Sequence, residues 1–258
     1  MEWKFALAAR DAETPLIVAL TGTDRGHRNL GLHHHPRGQL TALRHGLLTF
    51  GTDEGAWVVP SDHAVWMPPH QPHFGYSHGP FDGWSCYVAE AACAGLPDHP
   101  CTIRVSGLLR EAVIRAAGWE GETLDEGQTR LALVILDELR AAADEPFGLP
   151  MPRDARLIRI ARALLEDPGD RRGMAEWAGW AGVSERTLSR RFVEETGHSY
   201  TSWRQRARMM RALELLADGA SVTSVALDLG YDSVSAFIAL FKRLLGTTPA
   251  AYFSRATD

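Results

Sequence analysis

Residues 174–192 read Met174-Ala175-Glu176-Trp177-Ala178-Gly179-Trp180-Ala181-Gly182-Val183-Ser184-Glu185-Arg186-Thr187-Leu188-Ser189-Arg190-Arg191-Phe192, and this stretch decides the C-terminal fold. Met174, Trp177, Ala178 and Ala181 fall at i, i+3, i+4 and i+7, the buried stripe of a short helix. Gly182 tolerates a left-handed backbone, and Ser184 stands where a hydroxyl can cap a second helix with Leu188 and Phe192 facing inward. Helix, tight turn and capped helix make a helix-turn-helix. The pattern recurs in Val222, Val225, Ala226 and Leu229, then a turn at Gly230, a cap at Asp232 or Ser233, and an inner face of Phe237, Leu240, Phe241 and Leu244. Ser184 and Ser233 are 49 residues apart, and Tyr200, Trp203, Ala207, Met210 and Leu213 mark one long helix between the units.

A helix-turn-helix offers the outer face of its second helix to the DNA major groove. In the first unit that helix is 185–195, with Ser184 at its start and Arg186, Ser189, Arg190 and Val193 outward. Arginine bonds two acceptors on guanine, and serine serves either base type or a phosphate. The second reading helix, 234–245, follows Ser233 and offers Val234, Ser235, Ile238, Ala239 and Lys242. These suit small apolar contacts to thymine methyls, with Lys242 and Arg243 on phosphates, so base discrimination is expected mainly from the first unit. The connecting helix, Tyr200 to Leu216, spans roughly 25 Å at 1.5 Å per residue. The two reading helices are therefore expected about one DNA turn apart, in adjacent major-groove segments of double-stranded DNA.

Residues from about 153 to 255 resemble the DNA-binding domain of AraC/XylS-type transcription regulators. The first signature is carried by Ser184–Phe192, Gly197-His198-Ser199 and Trp203-Arg204-Gln205. The second is carried by Leu229–Phe237, Phe241 and Gly246-Thr247-Thr248-Pro249. The resemblance implies a transcription regulator on promoter DNA, with an N-terminal domain that binds an effector or forms a homodimer.

Composition bounds the rest. The chain has 258 residues, 45% hydrophobic and 23% charged, as two average soluble domains would. No apolar run reaches membrane-span length, the N-terminus lacks a secretory signal pattern, and Cys86, Cys93 and Cys101 fit no disulfide or zinc framework. A cytoplasmic protein with free thiols is expected. The net charge of −5 hides an asymmetry: residues 1–151 carry 11 Lys/Arg against 19 Asp/Glu, and residues 152–258 carry 16 against 13. A polyanion partner therefore belongs to the C-terminal part.

Upstream, Leu16–Leu20, Leu40–Leu43, Leu47–Phe50, Trp57–Val59, Ala64–Met67 and Trp84–Val88 are strand-length apolar runs separated by turn residues. Helical periods follow at Gly107–Ala117 and Gln128–Ala143. The expected organisation is an all-β cupin-like barrel followed by helices over 1–146, a proline-rich linker over 147–152, and an all-α tandem helix-turn-helix domain over 153–258. The apolar stripe of Gln128–Ala143, with Leu131 and Leu139, is wide enough to suggest a helix-mediated homodimer, with packing on its own barrel as the alternative.

Ten of the eleven histidines lie in the first part. Strand alternation sends His33 and His35 to one face and His34 to the other. With Gln39, Gly46 and the run Pro68-Pro69-His70-Gln71-Pro72-His73, these spacings resemble the two cupin motifs, with Gln39 in the glutamate position and His70 in that of the second glycine. The resemblance implies convergence of His33, His35 and His73 near Gln39. Three imidazoles suit a divalent transition metal such as nickel, zinc, copper or iron. The alternative is a metal-free polar pocket for a small-molecule effector. His34, His45, His63, His70 and His78 are expected to have no metal role, and Trp57, Trp66, Phe74 and Trp84 to be core. A metal-dependent cupin enzyme fused to a DNA-binding domain is the competing function, disfavoured by Gln39 in place of a carboxylate and by the absence of a second acid–base constellation.

Overall fold

In β6 (His63–Met67), Ala64 and Trp66 enter one apolar cluster and Val65 and Met67 another, so both faces of this strand are buried. That requires three layers. The computed structural model describes residues 15–26, 29–59, 63–142, 144–145 and 148–254. The chain divides into two compact units, one reaching Gly148 and one running from Leu149 onward, with Asp53–Gly55 grouping with the second.

In the first unit, β1 (Ile17–Asp24), β8 (Phe81–Val88), β3 (Gly38–His45), β6, β9 (Cys101–Arg104) and β10 (Asp144–Glu145) form one antiparallel sheet in that order. Facing it, β5 (Gly55–Val59), β4 (Leu48–Gly51), β7 (His73–Ser77) and β2 (Asn29–His33) are consecutive neighbours in a second sheet. Leu43, Val65 and Met67 of the first sheet meet Phe50, Trp57 and Val59 of the second. The other face of the first sheet, through Leu40, Trp66, Cys86 and Ile103, packs on helices α1 (Gly107–Ala117) and α2 (Glu126–Ala141). The cupin-like unit is thus two antiparallel sheets backed by helices. Its central strands read as continuous apolar runs because neither face meets water. β2, β7, β9 and β10 fall outside the expected runs. β2 is exposed along its whole length, and β9 is only four residues long.

Helix α2 starts two residues earlier than expected, because Asp125 accepts from the Gln128 amide at 2.8 Å while Gln128 Oε1 accepts from the Asp125 amide at 2.9 Å. This reciprocal cap satisfies two orphan donors. The structure also corrects the expectation that a partner helix covers its apolar stripe. Ala132, Ile135, Leu136 and Leu139 are buried in the protein's own core, and Leu131 packs against the same cluster. Only Leu133, 47% exposed, points away as a large apolar side chain of this helix.

The second unit contains α3 (Ala155–Glu166), α4 (Met174–Ala181), α5 (Glu185–Thr196), α6 (Tyr200–Ala217), α7 (Val222–Asp228), α8 (Val234–Leu245) and α9 (Pro249–Ser254). It begins before residue 153. Leu149 is fully buried with Leu157, Ile160, Leu164, Trp177, Leu188 and Phe192, and Trp203 Nε1 donates to the Pro150 carbonyl at 2.7 Å. Part of the expected linker, Gly148–Pro150, is therefore a short strand, β11, while Phe147 lies outside the described residues. Asp154 caps α3 and pairs with Arg156 and Arg191, while Glu195 accepts from the amides of Arg153 and Asp154 at 2.7 and 2.8 Å. The Arg156 hydrogen bonds, with Arg191 nearby, hold the Asp154 carboxyl well below the usual carboxylate range.

Two outcomes follow. Leu139→Glu places a charge in the core of the first unit, so that unit should lose its cooperative thermal transition, whereas Leu133→Glu should retain one. A folded Leu139→Glu protein would place the stripe at an intermolecular surface. Because the Asp154 carboxyl is depressed, its contribution is present above about pH 4 and lost as pH falls. The stability gap between wild type and Asp154→Asn, measured by urea denaturation, should be full above about pH 5 and narrow progressively as pH falls below about 4.

Candidate functional site

The two turns of the second unit share one backbone solution. Gly182 has φ 70°, and the Val183 amide bonds the Ala178 carbonyl at 2.9 Å. Gly230 has φ 71°, and the Tyr231 amide bonds the Ala226 carbonyl at 3.0 Å. A side chain in that conformation costs about 1–2 kcal/mol, which is why glycine stands at both. Ser184 Oγ then accepts from the Thr187 amide at 3.2 Å, and Ser233 Oγ from the Ala236 amide at 3.1 Å. Ser233 rather than Asp232 is the second cap, so the second turn is one residue longer.

With Leu188 and Phe192 inward, helical phase sends Arg186 and Arg190 to the exposed side and leaves Ser189 half-buried. Their states differ. Among the described residues Arg186 has no ion pair, whereas Arg190 Nη1 lies 2.7 and 2.8 Å from the two carboxylate oxygens of Glu194. Arg191 turns away and binds Asp154. On the second reading helix Ser235, Ala239, Lys242 and Arg243 are exposed and Val234 and Ile238 half-buried, over a core of Phe237, Leu240 and Phe241.

In the first unit, β2 pairs with β7 so that His33 stands opposite His73, and a bulge separates this pair from Leu30 opposite Gly75. One extra residue re-aims the strand. The side-chain nitrogens of His33, His35 and His73 come within 4.8 Å of one another. Each Nδ1 is bonded to a main-chain carbonyl: His33 to Gly31 at 2.8 Å, His35 to Arg37 at 2.6 Å, His73 to Gln71 at 2.8 Å. In neutral rings this puts the proton on Nδ1 and leaves the Nε2 lone pairs for the cluster. Burial lowers the pKa of His73 to about 4 and lowers that of His35, so both are neutral at physiological pH. His73 Nε2 is buried with no hydrogen-bond partner. The Gln39 amide lies 2.9 Å from His35 Nε2 and 3.0 Å from Thr41 Oγ1, which is 2.9 Å from Ser85 Oγ. A neutral His35 requires the Gln39 amide NH2 toward the ring and its carbonyl toward Thr41. Gln39 therefore reaches the cluster as a hydrogen-bond partner of His35.

His70 has φ 62°, the left-handed conformation that the glycine of the cupin motif serves, and its amide bonds the His35 carbonyl at 2.8 Å. The loop carrying His73 is thereby tied to the β2–β3 connection that carries His35. His70 Nε2 faces Glu90 at 3.1 Å and His78 Nε2 faces Thr49 at 2.9 Å, so neither ring joins the cluster. Beside the cluster, a cavity of about 90 Å³ between the sheets is lined by Leu20, Leu30, Gln39, Phe50, Trp84 and Tyr87, among others, with no charged side chain. Trp57, Trp66 and Trp84 are core, but Phe74 is 42% exposed and lies over Gly51, where a Cβ would sit 2.1 Å from its ring. The bulge and the Gln39–Thr41–Ser85 chain carry no sequence signal, because both depend on cross-strand register.

Two family models match this chain, the AraC-like ligand binding domain over residues 14–116 and a helix-turn-helix domain over residues 177–255. The regulator NimR of Escherichia coli is 34% identical over 228 residues, covering 88% of this chain and 83% of its own. This chain belongs to the AraC family of transcription regulators. The regulator RipA of Corynebacterium glutamicum is 38% identical over 104 residues, 40% of this chain and 31% of its own. The DNA-binding domain of the global transcriptional factor AdpA, solved in complex with a target DNA, is 33% identical, covers 37% of this chain and 87% of that chain, and has a TM-score of 0.36. The protein is a regulator with an N-terminal ligand-binding domain and a C-terminal DNA-binding domain. Its relatives are regulators, not enzymes, which removes the cupin-enzyme alternative. Among the described residues no helix is long and apolar enough to cross a membrane.

The different states of the arginines predict different phenotypes. Arg186→Ala should cost about 1–3 kcal/mol on a selected duplex and relax base choice at one position. Arg191→Ala should lower the stability of the second unit without altering base preference in a competition titration. Equal loss of discrimination in both variants would overturn this division.

Proposed function

We propose that the protein reads two adjacent major-groove segments of promoter DNA, with Arg186, Ser189 and Arg190 reading bases in the first. The observation that carries this reading is the duplicated glycine turn and serine cap, which present two short helices, the first with a polar outer face and the second with a mixed one. Ser184 and Ser233, at the helix starts, are placed for phosphate contacts, as are Lys242 and Arg243, while Val234, Ser235 and Ala239 suit thymine methyls and backbone. A cytoplasmic homodimer belongs to this reading, with the outer face of α2 around Leu133 as the candidate contact. Nuclease protection by the full chain should cover two segments about one helical turn apart. Protection of one short segment would overturn it.

For control, we infer that the first unit senses a small uncharged molecule in the cavity beside the histidines. A charged group would find no counter-charge among the lining side chains. The orphaned Nε2 of His73 and the inward lone pairs of His33 and His35 fit a divalent transition metal, nickel, zinc, copper or iron. Bound there, such an ion supplies a Lewis-acid centre that a donor atom of the effector can join. His35 would exchange its Gln39 hydrogen bond for coordination, releasing the amide toward the cavity, and the carbonyl bonds at each Nδ1 would hold the rings in the ligating tautomer. Protein purified without a histidine tag should retain about one metal per chain by mass spectrometry. His73→Ala should lose it and His34→Ala should not. A metal-free wild type that resists reconstitution with nickel, zinc, copper and iron would leave the polar pocket alone.

A further inference from the structure

The loop Asp167–Gly173 touches both helix-turn-helix units and the helix between them. Against the second unit the contact is backbone on backbone. A Cβ on Gly169 would lie 2.2 Å from the Asp228 carbonyl oxygen, and one on Gly230 would lie 2.7 Å from the Gly169 carbonyl oxygen. Toward the first unit, the Arg172 guanidinium sits 3.7 Å from the Trp177 ring centroid, and the Gly173 amide donates to Glu176 at 2.8 Å. From α6, Arg204 Nη1 donates to the Arg172 carbonyl at 2.7 Å and its other terminal nitrogen to the Asp170 carbonyl. Arg208 Nε donates to the Pro168 carbonyl at 2.8 Å and Nη2 to the Asp170 carbonyl at 3.1 Å, while its guanidinium faces the Tyr231 ring at 5.7 Å.

These bonds commit two arginines of the connecting helix to loop carbonyls, where a nucleic acid phosphate would otherwise compete for them. They also span the joint between the units. Without them, the units would be held mainly by α6 and its ends. We propose that this loop clamps the two reading helices into one rigid body, so that Gly169, Arg208 and Gly230 act as positioning residues that set the segment spacing this regulator accepts. One inserted base pair displaces the second segment by about 3.4 Å and turns it by about 35°. A rigid pair of helices cannot follow that displacement and loses the contacts of one unit. A pair joined by a flexible helix adjusts and keeps most of them, because the second unit remains tethered at high local concentration.

The inference rests on the two-segment reading, and its test separates the two. A duplex is selected from a random pool by the full chain and footprinted, and versions with one base pair inserted or deleted between the protected segments are titrated. Wild type should bind the respaced duplexes about 10-fold or more weakly than the parent. Arg208→Met, and Arg208→Lys, which keeps the charge but cannot bridge the Pro168 and Asp170 carbonyls, should bind the parent more weakly, with the respacing penalty reduced to about 3-fold or less. Affinity for a duplex carrying the first segment alone should not change. A two-segment footprint with the full penalty retained in both folded variants overturns the clamp alone. So does an equal loss on every duplex, the mark of a purely structural role. A one-segment footprint overturns the reading and the clamp together.

Discussion

Two glycines in left-handed backbone, Gly182 and Gly230, set the DNA-binding unit's geometry. Each turns the chain through a conformation that a side chain resists. Each is followed by a serine whose hydroxyl takes an orphan amide and fixes where the next helix begins. Once the first turn of the helix is placed, phase does the rest. Leu188 and Phe192 enter the core, so Arg186 and Arg190 must face out. At Gly230 a second constraint acts, since the Gly169 carbonyl occupies the space a Cβ would need. The two glycines are thus unequal: open space surrounds the first, and the second lies at a packed joint.

Net charge is a poor guide to which arginines face a partner. The C-terminal part carries 16 basic residues, but several are committed within the fold. Arg156 and Arg191 serve Asp154, Arg172 pairs with Asp170, and Arg204 and Arg208 bond main-chain carbonyls. A guanidinium has donors enough to hold an irregular loop whose carbonyls no helix or strand satisfies. Among the described residues, Arg186, Lys242 and Arg243 stay exposed and outside any ion pair. An exposed pair such as Arg190–Glu194 contributes little to stability.

In the ligand-binding unit, the main chain disciplines the histidines. Three carbonyls two residues away hold three Nδ1 protons, which leaves the Nε2 lone pairs of His33 and His73 for the cluster and that of His35 bonded to the Gln39 amide. Burial keeps His35 and His73 neutral, the state in which nitrogen can donate. The adjacent cavity is walled mainly by apolar residues because both sheets turn their inner faces to it, and Gln39 both lines it and bonds His35.

Short-range pattern alone determined the tandem helix-turn-helix, its inner faces and the first serine cap, since helical period, turn glycine and cap operate over a few residues. It also determined most strands of the first unit, whereas His35, read as alternating with His33 along one strand, lies in the connection after β2. Tertiary structure alone decided four matters. The β2–β7 register and its bulge, which no spacing encodes, are how His73 meets His33, a convergence that the cupin-motif resemblance already implied. The sheet claimed the α2 stripe, because a helix's apolar face cannot state in sequence whether its own sheet or a partner will cover it. Leu149 joined the second core ahead of the expected boundary, because a proline-rich run reads as linker until a burial site for its leucine exists. Arg204 and Arg208 found their carbonyls on a loop more than thirty residues earlier, and no local pattern encodes a contact whose two halves are joined only by the fold.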